Sequence, residues 1–87
     1  MNSKEFEYII RNSDGSRGET LEIHYRDGSV VKGFVQRVQF DASSGSYNVN
    51  LCKSEVKRGE NSNHTVRFDN VIKVVVKPFN KDEMTYE

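Results

Sequence analysis

Basic and aromatic residues are the ones in this sequence whose side chains are best suited to binding a ligand. Arginine and lysine hold phosphate groups and aromatic rings stack on nucleobases, so a face combining them would bind single-stranded nucleic acid. Such a face would also suit a protein partner, and a solvated surface with interspersed charges is the plain alternative. The candidate contacts are Tyr25, Arg26, Arg37, Phe40, Tyr47, Lys53, Lys57, Arg58 and Arg67.

Charge is unevenly distributed along the 87 residues. The 13 basic residues balance 13 acidic ones, and a neutral chain lacks the broad positive field of proteins that grip nucleic acid mainly through phosphates. Residues 24–40 nonetheless carry a net charge of +2 and residues 53–77 carry +3, between acidic ends. The sequence therefore predicts a mildly basic middle, and it leaves open whether the basic residues share one face.

Residues able to support catalysis or metal binding are sparse. Neither His24 nor His64 lies within metal-ligand spacing of a second His or Cys in the sequence. The chain also has no Gly-x-Ser-x-Gly or phosphate-loop motif. Cys52 is the only cysteine, so no internal disulfide can form, and we expect a partly buried, inert thiol. The sequence predicts a cytoplasmic protein that is not an enzyme, has no cofactor or metal, and does not enter a membrane.

The elements that position these side chains are predicted to be short strands. Apolar residues alternate over residues 20–25 and again over residues 47–52, as in half-buried strands. Residues 30–40 form one long strand whose apolar positions change parity, which predicts a bend or bulge at Gly33. Residues 64–68 and the apolar run 71–76 make the last two strands.

Turns and ends divide the chain into three parts. The Asp27-Gly28 pair predicts a hairpin, residues 41–46 a turn, and residues 53–63 a long polar loop. Residues 1–19 are an N-terminal segment in which residues 1–11 fit either a short helix or a strand. Residues 20–78 form the β domain, and residues 79–87 a flexible acidic tail.

This arrangement predicts a mostly β fold, a small five-stranded antiparallel barrel of the Sm or SH3-like kind; an open α+β sheet is the alternative. The chain from residue 21 to 76 resembles the Sm-like family. The matching positions are Asp27-Gly28, Val31, Gly33, Val35, Val38, Asn48-Val49-Asn50-Leu51 and Arg67-Phe68-Asp69-Asn70-Val71. The resemblance adds Asn70 to the candidate contacts and implies binding of single-stranded RNA.

Two departures from the Sm pattern fall where RNA would bind. Gln39 occupies the family's acidic position, and Phe68 replaces the glycine of its Arg-Gly pair. Without that glycine the backbone cannot approach a base closely, so a uridine-type pocket is not carried over. The segment 21–28, Gly33 and the closing strands 66–76 also resemble YolD-like and Rho-binding antiterminator-like small bacterial proteins. That resemblance implies an adaptor or regulator.

The leading functional hypothesis is therefore a macromolecule-binding module that contacts a protein partner through an exposed strand edge and the loop 53–63. Such edges offer backbone hydrogen-bonding groups for strand addition, and they can also join like subunits into a homo-oligomer. The alternative is single-stranded nucleic acid, bound through the basic and aromatic residues.

Overall fold

The computed structural model describes residues 3–11, 19–53, 61–78 and 82–87. Its elements in chain order are α1 (Ser3–Arg11), β1 (Thr20–Tyr25), β2 (Val30–Asp41), β3 (Ser46–Cys52), β4 (Asn61–Val66), a 3₁₀ helix (Phe68–Asn70), β5 (Val71–Lys77) and β6 (Met84–Tyr86). The fold is mostly β, as the sequence predicts. Within the described ranges, no helix is both long and apolar enough to cross a membrane.

All six strands form one antiparallel sheet in the order β4-β3-β2-β1-β5-β6. The prediction of a closed five-stranded barrel is wrong in two respects. A sixth strand forms, and in the described part of the chain no ladder joins β4 to β6. The additional strand lies in the segment predicted to be a flexible tail, where residues 84–86 pair with residues 74–76 of β5.

The sheet is nevertheless strongly curled. β4 and β5 are separated by four strand spacings, which would place them about 19 Å apart in a flat sheet. Residues 67–70 alone join the two strands, and three of them form a 3₁₀ helix that rises only about 2 Å per residue. A link so short requires the sheet to bend until the beginning of β5 approaches the end of β4.

The change of parity in β2 comes from a bulge at Gln36. Val35 pairs with Leu51 and Arg37 with Asn50, so Gln36 is the extra residue. The predicted position, Gly33, is therefore wrong as the site of the bulge, since it pairs in register with Leu21. The bulge lets Val35 and Val38 face the same core although they lie three residues apart.

The helical alternative for the N-terminal segment is the one that forms. Phe6, Ile9 and Ile10 lie on one face of α1 and are buried against the inner face of the sheet. Helices this short are marginal alone, so this packing is what stabilises α1. The core cluster comprises Phe6, Ile9, Ile10, Leu21, Ile23, Val35, Tyr47, Val49, Leu51, Val66, Val71, Val74 and Val76.

The structure agrees with the predicted turns but not with the predicted bounds of the long loop. Gly28 has φ of +93°, as the predicted hairpin requires, and Gly45 has φ of +67° in the turn before β3. The predicted loop 53–63 is too long, because residues 61–63 already belong to β4. Residues 12–18 and 54–60 lie outside the described residues.

Candidate binding surfaces

The eight predicted contacts that the structure describes do not form one face. Tyr25, Arg26 and Asn70 line a cavity beside the β1–β2 turn, whereas Arg37 lines a second cavity on the outer face of β2 and β3. Lys53 is exposed just after β3, and Lys57 and Arg58 lie outside the described residues. The basic and aromatic residues are thus distributed over separate surfaces.

The cavity beside the turn, which we call the turn cavity, is lined by Tyr25, Arg26, Asp27, Ser29 and Asn70 and measures about 410 Å³. The side chain of Arg26 donates from Nε to the Asp69 carbonyl oxygen at 2.6 Å, and its backbone N–H donates to the Asn70 carbonyl at 2.9 Å. These contacts fasten the turn to the 3₁₀ helix. Arg26 therefore has a structural role at this position.

The described lining of the turn cavity carries one charge of each sign, on Arg26 and on Asp27. The Asp27 carboxylate lies in its lining, and hydrogen bonds from the Ser29 hydroxyl and backbone N–H hold the pKa of Asp27 below its ordinary value. Burial, followed by the nearby Asp27 charge, raises the pKa of Tyr25. Both effects keep Asp27 negative and Tyr25 neutral. A negatively charged ligand would therefore meet the Asp27 carboxylate as well as the Arg26 guanidinium.

The candidates Tyr47, Phe40 and Arg67 make contacts with other residues of the protein. Tyr47 is buried, with its ring centroid 5.3 Å from that of Phe6 and 5.1 Å from that of Phe40. Its predicted role in stacking on a base does not fit this position, whereas Phe40 is half exposed. Arg67 lies 3.6 Å from the carboxylate of Asp69, measured from Nε to Oδ1. The predicted aromatic and basic face is therefore dispersed.

The second cavity, which we call the amide cavity, measures about 330 Å³ and is lined by Arg37, Gln39, Asn48, Asn50 and Asn63. It spans three neighbouring strands on the face opposite the core. The bulge at Gln36 brings Arg37 and Gln39 to this face, while Val38 and Val49 between the polar positions face inward. Among the residues that the structure describes, the geometry thus collects four amides and one guanidinium, with no acidic residue in the lining.

Two hydrogen bonds orient the side chains of the amide cavity. The Asn50 Nδ2 group donates to Asn63 Oδ1 at 2.7 Å, and the Thr65 hydroxyl donates to Asn48 Oδ1 at 3.3 Å. Both bonds use amide oxygens as acceptors. Within the described residues no hydrogen bond uses the side-chain NH₂ groups of Asn48 or Asn63, and none involves the guanidinium of Arg37. The cavity accordingly offers donors from Asn48, Asn63 and Arg37 beside the buried acceptor oxygen Oδ1 of Asn50.

Of the amide cavity, only Arg37 was selected from the sequence as a contact. The signal that could have found the others is the period of two in β3, where Asn48 and Asn50 flank the buried Val49. Asn63 falls within the predicted loop 53–63, so the sequence pattern does not align it with them. In the structure it pairs directly with Asn50 across the β3–β4 ladder.

No family model, curated protein or solved structure matches this chain. Function must therefore be argued from the surfaces themselves.

The two histidines and the cysteine each make a hydrogen bond to another side chain of the protein. His24 Nε2 lies 2.8 Å from Glu22 Oε2, and this hydrogen bond is the main cause that lowers the pKa of Glu22. His64 Nε2 lies 3.0 Å from the Ser62 hydroxyl, and the buried Cys52 thiol donates to Gln36 Oε1 at 2.7 Å. In the described ranges, no three His, Cys, Asp or Glu residues are grouped so that they could hold a metal.

The two edges of the sheet differ in how they are protected. β4 is six residues long, pairs with β3 without a register shift, and contains no charged residue and no proline. β6 is three residues long and is flanked by Asp82, Glu83 and Glu87. Natural sheets blunt their edges with short strands, charges, prolines and bulges. β6 is thus the shorter strand and has acidic residues on both sides, whereas β4 is longer and has no Asp, Glu, Lys or Arg within the strand.

Proposed function

We propose that this protein is a non-catalytic binding module, an adaptor or regulator, that takes up an extended segment of a partner protein by strand addition to β4. The observation that supports the proposal is the outer edge of β4, which is regular, uncharged and free of proline. No strand in the described part of the chain pairs with that edge. An added antiparallel or parallel strand would continue the sheet.

Backbone pairing at β4 accounts for only part of the required affinity. Of the six residues of β4, about three direct their backbone N–H and C=O groups away from β3. These groups are enough for about six hydrogen bonds, each worth about 0.5–1.5 kcal/mol net. The product, about 3–9 kcal/mol, is comparable to the cost of association, about 4–15 kcal/mol. Side-chain contacts beside the edge must therefore supply the rest, and they also determine which segment binds.

The Sm or SH3-like assignment belongs to this proposal. A short N-terminal helix, a curled antiparallel sheet and the bulged β2 support it. A cytoplasmic location also belongs to it, because the single cysteine permits no internal disulfide. The dispersed positions of Arg26, Arg67 and Tyr47 favour a protein segment over single-stranded nucleic acid as the ligand.

The proposal is tested by selecting binders from a random 12-residue peptide library on the immobilised protein. Each selected peptide is then synthesised with one N-methyl group at successive backbone positions. We expect binding to be lost at alternate positions and kept at those between them, because only every second residue of an added strand hydrogen-bonds to β4. Fluorescence anisotropy with the labelled peptides measures this pattern.

Three results would overturn the proposal. The first is a selection that yields no peptide with measurable affinity. The second is binding that N-methylation does not affect in an alternating way. The third is salt-sensitive binding of a fluorescent single-stranded RNA in place of any peptide, which would establish the nucleic-acid alternative. Sedimentation of the free protein is run in parallel, since a stable dimer paired through β4 would assign that edge to a second copy instead.

A further inference from the structure

The amide cavity lies beside the edge at which we place the partner segment. Asn63 of β4 forms the cavity wall nearest that edge, and Asn48, Asn50, Gln39 and Arg37 continue the cavity inward across β3 and β2. In an added strand, the residue opposite Asn63 lies on the same face of the sheet, with Cβ atoms about 5 Å apart. The side chain of that residue would therefore enter the cavity.

The chemistry of the cavity selects an acceptor. The side-chain oxygen of Asn48 accepts a hydrogen bond from Thr65, and that of Asn63 accepts one from Asn50. The side-chain NH₂ groups of Asn48 and Asn63 are therefore the donors that face a ligand. The guanidinium of Arg37 adds charged donors and makes no ion pair with another described residue. A ligand group that entered would meet donors from several directions, so an anionic oxygen pair fits better than an amine or a hydrocarbon.

The number of positive charges distinguishes a carboxylate from a phosphate. Among the described residues, Arg37 is the single cationic residue in the cavity lining. Phosphate groups on peptides carry about two negative charges and are recognised by clusters of arginines. A carboxylate carries one, which Arg37 can balance, and the amide N–H groups can bind its remaining lone pairs.

Other charges on the same face of β2 do not compete for this role. Asp41 follows Arg37 and Gln39 at the same parity, but its carboxylate accepts hydrogen bonds from the Ser43 backbone N–H at 3.0 Å and the Ser43 hydroxyl at 2.6 Å. It is thereby held in the turn before β3. No acidic residue in the described ranges therefore pairs with Arg37.

We propose that the amide cavity binds the carboxylate of a glutamate side chain in the segment added along β4, because three strand spacings separate that segment from Arg37 and the longer acidic side chain is needed to span them. This inference rests on the proposed function and names the class of partner: an extended segment with a glutamate opposite Asn63. Backbone pairing then supplies general affinity for extended chains, and the ion pair with Arg37 supplies the register and the selection of sequence.

The experiment compares one selected peptide in its Glu form with the same peptide in which that Glu is replaced by Gln. We expect Arg37→Gln to weaken binding of the Glu peptide about tenfold and to leave binding of the Gln peptide nearly unchanged. Arg67→Gln is the matched control, since Arg67 is an exposed arginine outside the cavity, and it should leave both peptides unaffected. Thermal unfolding verifies that each variant is folded.

Failure of this inference is distinct from failure of the proposed function. Peptides that show the alternating N-methyl pattern but bind equally well as Glu and Gln forms would overturn the carboxylate site and leave strand addition in place. A phosphoserine peptide that binds more tightly than the Glu form through Arg37 would also overturn it. A library that yields no binder would overturn the proposed function first.

Discussion

Single residues determine how the strands of this protein meet, and Gly33 shows it most directly. A Cβ atom on Gly33 would lie 2.9 Å from both the carbonyl oxygen of Cys52 and the Cβ of Leu51. That distance is shorter than two heavy atoms tolerate, and the backbone atom cannot rotate away. Gly33 is thus required by the close approach of β3, although the sequence pattern suggested a bulge there.

Gly33→Ala should therefore lower the free energy of unfolding by about 1–3 kcal/mol, because β2 and β3 must separate to admit the methyl group. Urea denaturation followed by circular dichroism measures the change. Lys32→Ala is the control on the adjacent, exposed position, and it should cost less than about 1 kcal/mol. A neutral Gly33→Ala variant would show that the two strands do not approach as described.

The two turns share an Asp-x-Ser arrangement, Asp27-Gly28-Ser29 and Asp41-Ala42-Ser43. In each turn the carboxylate accepts hydrogen bonds from the hydroxyl and the backbone N–H of the serine two residues later. For Asp41 the hydroxyl of Ser43 is the main cause that lowers its pKa. The charged form is thus the one that stabilises the turn.

The sign of the pH dependence follows from that lowered pKa. The native state binds the Asp41 proton less tightly than the unfolded chain does, so the stabilisation is complete above the ordinary aspartate pKa and is lost as the pH falls through the lowered one. We expect NMR titration to place the pKa of Asp41 below its ordinary value, and Ser43→Ala to raise it. An unchanged pKa in Ser43→Ala would contradict the assigned cause.

At the scale of the elements, the sequence predicted those whose pattern is local. The alternation of Leu21 and Ile23 identified β1, and Asp27-Gly28 identified the hairpin that follows. The sequence could not decide between helix and strand for residues 1–11, because Phe6 and Ile10 suit both periods until the sheet offers a face to cover. Local periodicity predicts an element only where a single type of secondary structure fits the pattern.

Elements that depend on pairing partners were missed. β6 is short and lies in an acidic segment, so nothing in residues 84–86 indicates a strand until the edge of β5 is available. The start of β4 was read as loop because Asn61 and Ser62 lack apolar neighbours. The amide cavity was missed for the same reason, since it exists only when β2, β3 and β4 are brought into register.

Removal of residues 82–87 tests the role of β6 as a cover for β5. The deletion should lower the free energy of unfolding by about 1–2 kcal/mol, since Tyr86 packs against the core. It should also cause self-association at high protein concentration, because the valine-rich edge of β5 becomes open. Analytical ultracentrifugation measures the association.

Tyr86→Ala is the matched variant for that deletion. It removes the ring that packs on the core but keeps the backbone of β6 paired with β5, so it should lose stability without associating. If the truncated chain remains monomeric and as stable as the full chain, β6 does not protect the edge.

On the scale of the whole molecule, the two edges of the sheet differ, and no strand in the described part of the chain pairs with the outer side of β4. β6 is short and flanked by acidic residues, whereas β4 is longer, regular and uncharged, and it has the amide cavity beside it. The net charge of zero provides little long-range attraction. Recognition must then depend on contacts made at the β4 edge itself.

Amide hydrogen exchange measured residue by residue by NMR tests the open edge of β4 most directly. In the free protein we expect the amides of residues 61–66 to alternate between fast and slow exchange, since every second N–H points away from β3. A saturating selected peptide should slow the fast set and leave residues 84–86 of β6 unchanged. Uniformly slow exchange along β4 in the free monomer, or peptide protection at β6 instead, would contradict the account.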